Sequence, residues 1–128
     1  MRKPDSSPRE ELTILVVEDE VLNAMLLETY LEEAGYGEIV VATNVEEALA
    51  ILEQQVIDFA LLDINLNGQS SFPVARRLRD LGVPFGFQSA YGKNGLTETF
   101  RNCPVIEKPY RQEILVSLAG RLEEMAGA

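Results

Sequence analysis

The 128-residue chain has no histidine and a single cysteine, Cys103. The lack of histidine excludes most hydrolase triads and the usual zinc sites. One cysteine excludes an internal disulfide and fits a reducing, cytoplasmic setting. Cys103 opens a predicted strand and is expected to be buried filler. Basic residues are scarce, with 11 Lys and Arg against 21 Asp and Glu, a formal charge of −10. That balance argues against binding nucleic acid through a basic surface, but not against a basic partner or a cation. No apolar run approaches the roughly 18 residues of a membrane span. The opening "MRKPDSSPRE" has no apolar segment after it, so no secretory leader is expected. No glycine-rich phosphate loop follows the first apolar run, which leaves nucleotide binding unsupported.

What is present suits one soluble domain with a real core: 46% apolar and 25% charged residues. Residues 1–11, rich in Pro, Ser and charge, read as a disordered lead-in. A single domain is expected over 12–125, with no output domain behind it. Along that stretch two periodicities alternate. "TILVV", "EIVVA", "DFALLDI", "PFGFQS" and "PVIEK" read as strands. Helical spacing is predicted over 21–34, closed by Gly35, and from Asn44, where Glu47 completes a start resembling a capping box. A third helix carries Pro73 in its first turn and Gly82 at its end. A short helix is expected near 96–101 and a last one over 112–125. Strands 1, 3, 4 and 5 are nearly continuous apolar runs. This βα alternation predicts an α/β fold whose parallel sheet is buried on both faces by helices.

In such a fold ligands bind beyond the carboxyl ends of the strands. Glu18 and Asp19 end strand 1, Asp63 lies at the end of strand 3, Ser89 ends strand 4 and Lys108 ends strand 5. Three carboxylates, a hydroxyl and an ammonium therefore converge on one rim. Crowded carboxylates raise one another's pKa unless a cation neutralises them, and Mg²⁺ (or Mn²⁺) suits oxygen ligands. Asp63 is placed to coordinate that cation and to act as nucleophile. Lys108 is suited to a phosphoryl oxygen as a point charge, and Ser89 to another through its hydroxyl. The pattern points to phosphoryl transfer by alignment and charge neutralisation.

Over roughly residues 12–122 the chain resembles a receiver domain of a two-component response regulator, a CheY-like module. The resemblance implies a flavodoxin-like doubly wound fold with five parallel strands in the order 2-1-3-4-5. It makes Glu18 and Asp19 the acidic pair, Asp63 the phosphorylated aspartate, Ser89 the conserved hydroxyl and Lys108 the lysine. It also implies that Asn65 lends its backbone carbonyl to the metal and that the Lys108–Pro109 bond is cis. The phosphodonor would be a histidine kinase or histidine phosphotransfer protein, since this chain has no histidine of its own. Output would come through protein contact or as a phosphate sink or shuttle, with no nucleic acid or membrane, from a monomer or weak dimer.

Three departures stand out. The family's Pro and Gly after the acceptor are displaced, with Asn67 and Ser71 at their positions, so a different loop path is expected. The switch aromatic before the lysine is Val105, so the standard hydroxyl–aromatic coupling cannot operate. Third, "PFGFQSAYG" and "DINL" resemble the Phe-Ala-Thr-Gly-x-Tyr subfamily of single-domain alphaproteobacterial receivers, with Gln88, Ser89 and Ala90 replacing Ala-Thr-Gly. Tyr91, two beyond Ser89, is a candidate gate for water or partner. On the first helix, Ala24, Leu27, Leu31 and Ala34 form one stripe. Leu22, Met25, Leu26 and Thr29 form another, of which Leu22, Met25 and Leu26 are candidate docking residues.

Two other readings stay open. A small Mg²⁺-dependent phosphatase of the haloacid-dehalogenase kind shares the Asp, Ser and Lys chemistry. It would want a second carboxylate where Asn65 stands, and its acidic pair after the lysine. A non-phosphorylated interaction module with the same fold would not need all five rim residues.

Overall fold

A computed structural model describes residues 8–127. Five parallel strands form one sheet: β1 Thr13–Val17, β2 Glu38–Ala42, β3 Phe59–Asp63, β4 Phe85–Ser89 and β5 Val105–Glu107. Their spatial order is β2-β1-β3-β4-β5, the flavodoxin-like α/β order. Four helices cover the two faces: α1 Val21–Glu33, α2 Val45–Gln54, α3 Phe72–Leu81 and α4 Gln112–Gly127. Among the described residues no helix is long and apolar enough to cross a membrane.

The continuous apolar strands follow from this two-sided cover, because successive residues point to opposite faces. Leu15, Val17, Ala60, Leu62, Phe85 and Phe87 pack against Ala48 and Leu52 of α2 and Val74, Ala75 and Leu78 of α3. Ile14, Val16, Phe59 and Leu61 pack against Leu27 and Leu31 of α1 and Leu115, Leu118 and Leu122 of α4. Asn44 caps α2 by accepting from the Glu47 amide at 2.8 Å, and the Glu47 carboxylate accepts from the Thr43 amide at 2.7 Å. On α1, Ala24, Leu27 and Leu31 are buried, whereas Leu22, Met25 and Leu26 stay exposed.

Several expectations are corrected. The lead-in expected over 1–11 falls mostly outside the described residues. Within them, Arg9–Glu11 form a 3-10 turn docked on the domain. The Arg9 guanidinium donates to Glu123 at 2.9 Å and to the Ala34 carbonyl at 3.0 Å, which fixes a segment whose composition suggested disorder. The short helix expected near 96–101 is reduced to a single 3-10 turn. That turn is Glu98–Phe100, and another, Gly92–Gly95, precedes it. Glycines and threonines make this stretch a poor helix, and Phe100 anchors it by packing on Phe72, Phe85 and Phe87. Cys103 lies ahead of β5 and is half-buried, with its sulfur accepting from Arg79 at 3.4 Å.

Past Asp63 the chain turns back on itself at once. Asn65–Leu66 pairs antiparallel with Gln69–Ser70 in a tight hairpin. Its two loop residues, Asn67 and Gly68, have φ of 52° and 84°, the positive values a type I′ turn requires. The Asn65 side chain closes the loop by accepting from the Gly68 amide at 2.8 Å.

Candidate functional site

Register brings the rim together. Val17 pairs with Leu62, Asp63 with Gln88 and Ser89 with Glu107, so the ends of β1, β3, β4 and β5 lie in line. Glu18 follows β1 and is fully buried. Asp63 and Ser89 close their strands and are also buried. Carboxylate oxygens of Glu18, Asp19 and Asp63 lie within 4.8 Å of one another. Lys108, just past β5, reaches into this group. Its Nζ donates to Asp63 Oδ2 at 2.8 Å and to Glu18 Oε1 at 3.2 Å. The Lys108–Pro109 peptide is cis.

Electrostatics follow from burial and unequal charge. Desolvation pushes the Glu18 carboxyl up. Hydrogen bonds from the Glu20 amide and the Asn23 side chain oppose this, Asp63 adds to it and Lys108 opposes it. Burial alone would lower Lys108, but its hydrogen bond with Asp63 and the charges of Asp63 and Glu18 win, and the net shift is upward. Among the described residues one ammonium, Lys108, faces this group of three carboxylates. An oxygen-rich set so short of positive charge fits a hard divalent cation such as Mg²⁺.

The remaining predicted residues fall around this centre. The Asn65 amide donates to Asp63 Oδ1 at 3.3 Å, and the Tyr91 amide donates to Ser89 Oγ at 3.0 Å. Ser89 can still donate its own hydrogen. The Tyr91 side chain is 72% exposed and leaves the rim towards solvent. Val105 pairs with Phe87 in the sheet and packs, half-buried, against the α2/α3 core.

Three residues of the network were missed in the sequence reading. Gln88, buried in β4, donates from Nε2 to Glu18 Oε1 at 3.1 Å. Its Oε1 accepts from the Tyr110 hydroxyl at 2.7 Å and from Asn23 Nδ2 at 3.3 Å. Asn23 also donates to Glu18 Oε1. The Tyr110 hydroxyl is held protonated well above its ordinary range, first by burial and then by the Glu18 charge. The visible signal for Gln88 was a long polar side chain inside an apolar strand.

Residues 14–118 match the family model described as the response regulator receiver domain. The chain is 30% identical over 94 residues to the sensor histidine kinase RcsC of Salmonella typhimurium, a match covering 73% of this chain and 10% of that protein. The chain spans 35% of the length of one curated relative of about this identity and a tenth or less of others. The solution structure of SdrG from Sphingomonas melonis Fr1 superposes with a TM-score of 0.76 at 36% identity, covering 88% of this chain and 97% of that one. The Thermotoga maritima response regulator TrrA, solved in complex with Mg²⁺-BeF, gives 0.76 at 30% identity, covering 87% and 98%.

Proposed function

The chain belongs to the response regulator receiver domain family, a module of two-component signalling, and on that premise we propose that Asp63 is its phosphoryl acceptor. The observation that carries this reading is the contact of Lys108 Nζ with Asp63 Oδ2 at 2.8 Å inside a ring of three carboxylates. An Asp63 oxygen attacks the phosphorus of a phosphohistidine on a histidine kinase or phosphotransfer protein. The new P–O bond forms as the P–N bond breaks, and the imidazole nitrogen leaves with the electron pair and takes up a proton. Lys108 shifts its bond from the carboxylate to a phosphoryl oxygen. Ser89, two peptide units from the exposed Tyr91, donates its hydroxyl to another.

Glu18, Asp19, Asp63 and the Asn65 carbonyl would hold Mg²⁺ or Mn²⁺, which offsets the charge that gathers as the phosphoryl group arrives. Leu22, Met25 and Leu26, exposed on α1 next to the rim, serve as the docking patch. With Val105 in place of an aromatic, the Ser89 side of the switch cannot run through a rotating ring. Output then passes by protein contact or as a phosphate sink or shuttle, in the manner of a receiver of the Phe-Ala-Thr-Gly-x-Tyr kind. Tyr91 serves as its gate.

The test is intact mass after incubation with Mg²⁺ and a small acyl phosphate. One phosphoryl adduct is expected, lost in Asp63→Asn and lost on chelation of the cation. An adduct that persists in Asp63→Asn would move the acceptor elsewhere.

A further inference from the structure

Glu18 is a fully buried carboxylate, a group that is costly to hold unless donors surround it. Its Oε2 accepts from the Glu20 amide at 3.0 Å, while Oε1 is shared among Asn23, Gln88 and Lys108. Of those three, Lys108 is also committed to Asp63, at the shorter distance of 2.8 Å. When Lys108 turns to a phosphoryl oxygen, Asn23 and Gln88 are left to hold Oε1. Gln88 is the better anchored to the sheet. It is buried in β4 at the position paired with Asp63, and its own oxygen is fastened by the Tyr110 hydroxyl at 2.7 Å.

The amide can face only one way. A carboxylate accepts and never donates, so Nε2 must point to Glu18 and Oε1 to the two donors. The result is a directed chain from Tyr110, just ahead of α4, through Gln88 to Glu18. Resting on the proposed site, we infer that Gln88 is a positioning residue for the cation. It fixes the Glu18 carboxylate in the orientation that faces Asp19 and Asp63, and Tyr110 fixes Gln88. A glutamine merely satisfied in a core would stabilise the fold without affecting cation affinity.

Calorimetric titration with Mg²⁺ alone separates the two. Gln88→Met keeps the length and most of the volume but removes both hydrogen-bonding ends. Partners that orient a metal ligand typically contribute 10–100-fold to affinity, so half-saturation is expected to rise by roughly tenfold. Tyr110→Phe, which leaves Gln88 in place but unfastened, is expected to give a smaller rise in the same direction. Tyr36→Phe, which loses a hydroxyl bond to Glu123 far from the rim, is the control and is expected to keep wild-type affinity. Wild-type affinity in folded Gln88→Met overturns the inference and leaves the site reading intact. If Gln88→Met does not fold, wild-type affinity in Tyr110→Phe overturns it. A wild-type protein that takes up no Mg²⁺ brings down the site reading and this inference together.

Discussion

Two polar networks join distant parts of the chain, one at each end of the sheet, and they differ in charge. Beyond the amino end, Arg9 meets Glu123 at 2.9 Å and lies over the Tyr36 ring, 4.8 Å from its centroid, while the Tyr36 hydroxyl donates to the same carboxylate oxygen at 2.9 Å. In that contact one guanidinium answers one carboxylate. At the carboxyl end, among the described residues, a single ammonium bridges Glu18 and Asp63, with Asp19 close beside them. Both networks fasten elements together, but among the described residues the second holds more carboxylates than cations. Bonding of similar length therefore says little about purpose. The imbalance suits the divalent cation proposed above.

Mg²⁺ should break the symmetry most. At about a hundred times its half-saturating concentration, it is expected to raise the unfolding free energy by about 2.7 kcal/mol. Denaturant titration is expected to show most of that gain lost in Asp19→Asn and all of it kept in Glu123→Gln. An undiminished gain in Asp19→Asn would mean that the rim is not the binding place.

Without the cation the ordering should reverse. Removing a carboxylate from the crowded rim relieves repulsion, so Asp19→Asn is expected to hold or gain stability. Glu123→Gln keeps an acceptor oxygen but removes the charge opposite Arg9, and is expected to lose about 1 kcal/mol, a modest figure because Arg9 is 40% exposed. Equal losses from both variants would erase the distinction between the two ends.

The smallest effect is alkaline. Burial and the bond to Glu123 push the Tyr36 hydroxyl well above the ordinary 10.0, with Glu123's charge adding and Arg9 opposing. Above pH 10 the unfolded chain gives up this proton while the folded one keeps it. The folded state then binds more protons, so stability falls as pH rises through that window. Tyr36→Phe should flatten this limb of the melting profile. A limb as steep as wild type would assign it to other groups.

How much of this was legible depended on the distance over which the cause acts. Asp63, Ser89 and Lys108 were legible because each sits at the end of an apolar run, and parallel strands bring such ends to one rim. The hairpin after Asp63 is legible in Asn67-Gly68, the strongest short-range hairpin pair. Phe100 was not legible as an anchor, because its partners Phe72, Phe85 and Phe87 come from α3 and β4. Gln88 was visible as an oddity, but its meaning lies in Glu18, 70 positions away, and Arg9 pairs across 114 positions. Composition also misled at the start, where charge and proline suggested disorder in a turn that a single arginine holds down.

That turn rests on a position defined by what it lacks. A Cβ at Gly37 would lie 2.1 Å from the Glu10 carbonyl oxygen, and the Gly37 amide donates to the Arg9 carbonyl at 3.2 Å. Backbone there runs against backbone with no room for even a methyl group. Arg9 can thus be unseated without being touched: the smallest side chain at position 37 acts as a wedge under the turn. It would prise the guanidinium from Glu123 and leave the chain before β1 hanging loose, a remote eviction written in a single added carbon.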